Sequence, residues 1–194
     1  MARVGPAEHA LDMEHRSPAQ LEAGLNAVRE APKAEGRLEL IVRRPAVDER
    51  EVLDEGELDL TVGLVGDTWN VRGSSRTDDG SSHPDMQLNV MNARATALVA
   101  GPVERWPLAG DQLYLELDIS EANLPAGTRL AIGAAVIEVS EQPHTGCAKF
   151  TERFGLDAMR FVNSPEGRKL RLRGMNAKVV TPGVIRKGDT VRKL

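Results

Sequence analysis

Residues 127–140 read GTRLAIGAAVIEVS. A Gly-Thr pair feeds a short aliphatic run, a second glycine ends it, and AAVIEVS follows. Each half is short, aliphatic and bounded by a turn residue, which is the signature of two consecutive strands. The same phrase recurs around it. Gly110-Asp111 precedes QLYLELDIS, and Gly188-Asp189 precedes TVRKL. LRLRG (170–174) and NAKVV (176–180) read as two more strands, with Pro182-Gly183 as another turn. Many short strands joined by glycine-rich turns predict an antiparallel sheet closed into a barrel. The fold class is therefore mainly β, with a few short α-helices. No repeat of 20–50 residues is present, which excludes a solenoid.

The first half is less uniform. Ser17-Pro18 offers a helix cap followed by proline at the first helical position. Leu21, Leu25 and Val28 then fall at helical spacing, and the run stops before Pro32. Arg37 to Pro45 is rich in strand formers, and 52–65 offers one or two further strands. The segment GDTWNVRGSSRTDDGSSHPD (66–85) is long and polar and reads as a loop. A loop of this length in a compact domain is functional or mobile. MQLNVMN (86–92) is a strand with partial alternation, and ARATALVAG is a short helix ending at Gly101. The chain thus divides into a helical lead-in, residues 1–36, and a β-barrel domain, residues 37–194.

One longer helix interrupts the β-rich half. From Cys147 to Asn163, Phe150, Phe154, Ala158 and Phe161 recur at helical spacing on one apolar face. All three phenylalanines of the chain lie there. Gly155 weakens this helix or kinks it, and Asn163-Ser164-Pro165 stops it.

Composition sets further bounds. Aromatic residues make up only 3%, so the core must be mostly aliphatic. A single cysteine excludes an internal disulfide and suits a reducing compartment. No run approaches 18 consecutive apolar residues, so no membrane span is expected. The first residues lack an apolar signal core, and a cytoplasmic protein follows. The net charge of -4 conceals an asymmetry: residues 141–194 carry 12 Lys/Arg against 5 Asp/Glu. This basic third either binds an anion or balances the acidic part of the same domain.

The single cysteine, Cys147, sits at the start of the phenylalanine helix. Free backbone N–H groups and the positive end of the dipole gather there, a setting that biases a thiol toward thiolate. Thr145 is the expected cap. Lys149, Arg153 and His144 add positive field. His144 stands either to stabilise or deprotonate the thiolate, or to cap a turn. Cys147 is then a nucleophile, a persulfide carrier or a soft-metal ligand, or else a small buried apolar residue.

The run HTGCAKFTERFGLDAMRFVNSPEGRKLRLRGMNAKVVTPGVIRKGD (144–189) resembles the MOSC domain family, named for the C-terminal domain of molybdenum cofactor sulfurases. The likeness continues upstream through GDTW, QLNVMNARA, ERWPLAGDQLYLELDIS and NLPAGTRLAIGAAVIEVS. It covers roughly residues 37–194 and is closest to small stand-alone bacterial members. The resemblance implies a MOSC-type barrel and a single cysteine, Cys147. That cysteine would carry sulfur as a persulfide or ligate the molybdenum of a bound molybdopterin cofactor. It also implies a molybdenum-cofactor-dependent oxidoreductase or a sulfur transferase. There is no room here for the pyridoxal-phosphate domain of the sulfurases, so sulfur would come from a separate donor protein.

An anionic pterin phosphate needs Arg, Lys and backbone amides. Arg94 follows the strand that the family places near its site. Lys149, Arg153, Arg168, Arg171 and Arg173 are the other options, and strand alternation would put Arg171 and Arg173 on one face. Each is otherwise a solvated surface charge. Asn92 and Asn176 are pocket hydrogen-bonders or turn residues, and His83 either closes the site or is a solvated loop residue. The alternative function is a non-catalytic barrel that binds an anionic metabolite or a protein through its basic third. Nucleic acid is not an expected partner, because the net charge is negative and the aromatics are absorbed in the helix core. No CxxC, HExxH, GxGxxG, P-loop or Ser-His-Asp pattern is present, so a structural zinc, a nucleotide site and a serine triad are unsupported.

Overall fold

The structure, a computed structural model, describes residues 15–194 and the backbone of Arg3–Val4. In chain order the elements are β1 (Arg3–Val4), α1 (Pro18–Arg29), β2 (Glu35–Arg43), β3 (Arg50–Leu53), β4 (Glu55–Asp59), β5 (Gly63–Leu64) and α2 (Trp69–Arg72). A 3-10 turn (Pro84–Met86) leads to β6 (Leu88–Asn92) and α3 (Ala93–Ala100), and a second 3-10 stretch (Val103–Ala109) leads to β7 (Leu113–Glu116). Then come β8 (Arg129–Ile132), β9 (Ala135–Val139), α4 (Ala148–Val162), α5 (Pro165–Lys169), β10 (Met175–Thr181), β11 (Gly183–Arg186) and β12 (Thr190–Lys193).

Seven strands close a ring in the order β2-β12-β8-β9-β10-β6-β7, and β7 pairs back onto β2. All contacts in the ring are antiparallel except β6–β7, which is parallel. A parallel neighbour needs a crossover connection, and α3 with the second 3-10 stretch supplies it. The barrel is therefore mixed rather than wholly antiparallel. β1 and β3 extend it at β2, and β11, β4 and β5 form a small separate sheet.

The strands bury both faces where helices cover the barrel. On β7, Leu113 and Leu115 point into the barrel core, while Tyr114 points outward into a second core shared with α1, α3 and α4. β2 divides likewise, with Leu38 and Ile41 inside and Leu40 and Val42 outside. This explains why β6 is buried at all five positions instead of alternating. Helix α1 begins with the expected cap: Ser17 and Gln20 form a reciprocal capping box. Its Leu21 and Val28 join the outer core with Phe150 and Phe154.

Helix α4 breaks at Gly155, whose φ of 88° is left-handed. The break rotates the apolar face, so Val162 is buried where Phe161 was expected, and Phe161 is only half-buried. The LRLRG segment is not a strand. Residues 170–173 are turns that follow α5, and Arg171 has φ 49°. Alternation therefore does not relate Arg171 to Arg173. No helix among the described residues is long and apolar enough to cross a membrane.

Phe154 is 2% exposed and stacks on Phe150 with ring centroids 4.9 Å apart. Phe154→Ala is expected to lower stability by about 3–5 kcal/mol, measured as a shift of the urea midpoint at unchanged slope.

Candidate functional site

The site is built on a chain of buried polar groups at one end of the barrel. Arg44, just past β2, is 4% exposed. Its Nε and one terminal nitrogen grip both oxygens of Asp67 at 2.8 Å. Its other terminal nitrogen donates to Asn89 Oδ1 and to the Gly110 carbonyl, each at 2.9 Å. Asp67 also accepts from the Trp69 backbone N–H at 2.9 Å, which starts α2. Asn89, on β6, donates to Asn176 Oδ1 at 2.7 Å and faces His144 Nδ1 at 3.2 Å. Because Asn89 Nδ2 can only donate, His144 Nδ1 accepts and the ring proton sits on Nε2. That Nε2 faces Asp111 Oδ1 at 3.3 Å. Asp111 Oδ2 accepts from Arg173 at 2.7 Å, and Arg173 also donates to the Ala109 carbonyl and lies over the Phe150 ring at 5.0 Å.

Burial dominates the electrostatics of this chain. It pushes the His144 imidazolium well below the ordinary histidine range, and the Arg173 charge adds to the effect. Burial also pushes the Asp111 carboxyl up, against the pull of Arg173. His144 is thus neutral and bonded to Asn89 through Nδ1, while its Nε2 and the facing Asp111 Oδ1, 3.3 Å apart, are buried without a hydrogen bond.

In front of this wall lies a cavity of about 270 Å³. Six cationic side chains line it: Arg44, Arg50, Arg72, Lys149, Arg153 and Arg173. Among the described residues no carboxylate does; Asp67 and Asp111 lie behind Arg44 and Arg173, and Asp48 ties Lys149 (2.8 Å) to Arg153 (3.1 Å) from outside the lining. Among the described residues, Arg50 and Arg72 form no ion pair. The Nε atoms of Arg50 and Arg173 are buried without an acceptor. Burial lowers the Arg50 pKa, and Arg153 and Arg44 lower it further. Trp69, His83, Met86 and Phe150 supply the less polar part of the lining.

Cys147 lines the same cavity from the N-cap of α4, and it is exposed. It occupies the cap position expected of Thr145, and no side chain caps this helix. The turn before it is held from the far end of α4: Asn163 accepts from the Gly146 N–H at 2.9 Å and donates to the Gly146 carbonyl at 3.2 Å. The thiol is therefore presented on a fixed backbone and has no protein partner of its own among the described residues.

Of the residues singled out in the sequence, Cys147, His144, Lys149, Arg153, Arg173 and His83 come together here. Arg94 does not. It pairs with Glu116 at 2.6 Å, donates to the Ala27 carbonyl, and lines a different cavity between α1 and α3. Asn92 caps α3 and donates to the Leu117 carbonyl. Arg171 spends its guanidinium on the Ile119 and Leu124 carbonyls. Sequence reasoning missed Arg44, Arg50, Arg72, Asn89, Asp67, Asp111 and Trp69. One signal was present: Gly-Asp occurs at both 66–67 and 110–111. Each pair places a fully buried aspartate side chain against a buried arginine.

The fold and site together are thus a closed mixed barrel with one cysteine at the rim of a cavity lined by six cationic side chains. The family model of the MOSC domain matches residues 79–192, and the chain belongs to that family. Among solved structures it is similar to the YuaD protein from Bacillus subtilis, at 17% identity and a TM-score of 0.61, covering 81% of this chain and 94% of that one. It is also similar to YiiM from Escherichia coli, at 20% identity and a TM-score of 0.53, covering 81% and 69%. These likenesses show the fold. No curated protein matches.

The neutral His144 makes stability depend on pH. Below its ordinary value of 6.5 the unfolded chain takes up a proton that the folded site refuses. Stability is thus lost as the pH falls from 6.5 toward the depressed folded value, by up to about 1.4 kcal/mol per unit from this group. The raised carboxyl of Asp111 acts in the opposite sense, above its ordinary value of 3.8. Urea titrations at about pH 7.5 and about pH 5.5 should show wild type losing more stability over that interval than His144→Asn. Equal losses would mean that the histidine is not held neutral.

Proposed function

We propose that this MOSC protein holds an anionic molybdenum–pterin cofactor in the cationic cavity, with the Cys147 sulfur as a metal ligand. The observation that carries the reading is one cavity that, among the described residues, joins an unpartnered, exposed thiol to six cations and no carboxylate. The donor set suits the group. A thiolate is a soft ligand, and guanidinium and ammonium groups suit a phosphate. Arg50 and Arg72, which lack a carboxylate of their own, would take the phosphate together with Lys149. The buried Nε atoms of Arg50 and Arg173 are donors awaiting an acceptor. When bound, the cofactor supplies two-electron redox chemistry at the metal.

The protein's own contribution is orientation and charge. Asp48 holds Lys149 and Arg153 at the rim. Arg44 and Arg173 are fixed by buried aspartates, so they contribute hydrogen-bond geometry more than free charge. His144 stays neutral and keeps Asn89 aligned. A MOSC protein of this kind would act as a cytoplasmic oxidoreductase.

A second reading is favoured by the exposure of Cys147. A sulfur carrier must be reached by its donor. In that case the Cys147 thiolate attacks the terminal sulfur of a donor persulfide. A new S–S bond forms on Cys147, the donor S–S bond breaks, and the donor leaves as a thiolate.

Protein from a host that makes molybdenum cofactor is expected to carry near-stoichiometric molybdenum and pterin. Cys147→Ser should lose the metal, and Arg50→Gln with Arg72→Gln should lose the pterin. Absence of molybdenum from wild type would sink the cofactor reading. Treatment with a persulfide donor would then add the mass of one sulfur to wild type and not to Cys147→Ser if the carrier reading holds.

A further inference from the structure

The long polar segment between α2 and the first 3-10 turn borders the cavity, and its middle is held unlike its ends. The ends are fixed. The Trp69 N–H donates to Asp67 at 2.9 Å, and the Trp69 carbonyl accepts from the Ser82 hydroxyl at 2.6 Å. Past Ser82, Asp85 is tied to the barrel twice. Its carbonyl accepts from the Ser140 hydroxyl at 2.6 Å, and its carboxylate pairs with Lys178 at 3.1 Å. Between these anchors, residues 73–81 read GSSRTDDGS. They carry no apolar side chain, and none of them is buried. Burial of apolar surface, the main force that fixes a segment to a core, is therefore missing here.

The stretch instead holds itself together. The Ser74 N–H donates to the Gly80 carbonyl at 3.3 Å, and the Gly80 N–H donates to the Thr77 carbonyl at 3.2 Å. The Thr77 hydroxyl donates to the Ser81 carbonyl at 2.6 Å, and the Ser81 N–H to the Asp79 carboxylate at 2.9 Å. Gly73 and Gly80 both have a left-handed φ, 69° and 72°. A side chain on Gly73 would meet the Gly80 carbonyl oxygen at 2.6 Å, so the two form a narrow neck. Beyond that neck, one hydrogen bond leaves the stretch among the described residues. Arg76 donates to Gln142 Oε1 at 3.1 Å, side chain to side chain, in an exposed setting. Gln142 lies on the strap that leads to His144 and Cys147, and its carbonyl is held by the Asn176 amide at 3.0 Å. Gly73 and Ser74 line the cavity on one side, and His144 and Cys147 line it from the strap. The Arg76–Gln142 bond joins these two sides.

We propose that residues 73–81 are a hinged flap over the cationic cavity, that Arg76–Gln142 is its latch, and that the structure is the latched state. The size of the cavity agrees. At about 270 Å³ it falls just short of the roughly 300–1,000 Å³ of pockets that hold drug-sized ligands. A ligand of that size needs the flap lifted, and lifting takes Gly73 and Ser74 out of the lining. The anchored ends stay in place, because Asp67, Ser82 and Asp85 hold them. A single exposed hydrogen bond has a small net worth, so the latch opens readily. Cys147, exposed at the rim, is reachable in both states; the flap governs the inner wall. The proposal rests on the reading of this cavity as a ligand site and adds what controls entry to it.

The test is acrylamide quenching of Trp69 emission in a Trp106→Phe background, where Trp69 is the one tryptophan left. The protein comes from a host that cannot make molybdenum cofactor. Trp69 is 8% exposed and lines the cavity, so lifting the flap admits the quencher. Gln142→Ala removes the latch, and Gln142→Lys sets a like charge against Arg76. Each should raise the quenching constant about two- to tenfold, the range that one hydrogen bond spans. Gln142→Lys combined with Arg76→Glu rebuilds an opposite-charge latch and should return the constant to near the starting value. Unchanged quenching in the single variants, or a double variant as open as Gln142→Lys, overturns the proposal. Pyrophosphate association, followed by stopped flow with Trp106 retained, is the second readout and serves if the Trp106→Phe background does not fold. It should be faster in Gln142→Ala than in wild type, and equal rates overturn the flap as a gate. No pyrophosphate binding at all would count against the ligand reading and leave the quenching result to decide the flap.

Discussion

The Arg44–Asp67 pair is the constraint on which the site depends. The Arg44 guanidinium, just past β2, holds the β6 asparagine and the Gly110 carbonyl that precedes β7, and its partner Asp67 holds the start of α2. Four separate pieces of backbone meet at a group that is almost entirely out of water. Removing both charges from solvent is costly, and the geometry must repay it through hydrogen bonds. It does so with a bidentate grip and two further acceptors. Taking away one partner would leave a buried charge unmatched, at a cost of about 3–5 kcal/mol. The pair therefore registers the segments more than it stabilises them.

From that anchor the order of the cavity follows. Asn89 passes the alignment to His144, and Asp111 separately fixes Arg173, with His144 Nε2 and Asp111 Oδ1 facing each other unbonded at 3.3 Å. This separates two kinds of cation. Arg44 and Arg173 are neutralised from behind and act as fixed hydrogen-bond donors. Arg50 and Arg72 have no carboxylate partner among the described residues, so their charge is not offset locally.

Much of this architecture was legible. Helix α1 with its Ser17 cap, helix α3 ending at Gly101, the kink at Gly155 and the short strands after each Gly-turn could be read from local chemistry. The position of Cys147 at a helix start could be read as well. What escaped depends on contacts distant in sequence. LRLRG has the alternation of a strand, yet α5 feeds it as a tight turn, so Arg171 and Arg173 part company. Arg44 reads as the end of a strand and Asp67 as a loop residue; only folding brings them together. Arg94 looked like a site residue because its strand is near the cavity, but it lies beyond that strand, where α3 turns it toward α1. The helix beginning at Asn92 decides that orientation, and no local pattern at Arg94 announces it.

The ring of the barrel is closed by β2, which pairs with β7 on one side and with β12 on the other. Residues near 36 must therefore meet residues near 191. During synthesis the sheet keeps two open edges until the strand at 190–193 has left the ribosome. Until then β2 has only one of its two partners in the ring, and the edge of β8 stays open. The Arg44 network does not wait for that strand, because Asp67, Asn89 and Gly110 all come earlier in the chain and β2 reaches them through β7. A nascent chain truncated before β12 would hold every residue of the cationic wall and still expose two unpaired sheet edges, so the order of synthesis finishes the thiol's surroundings before it closes the barrel.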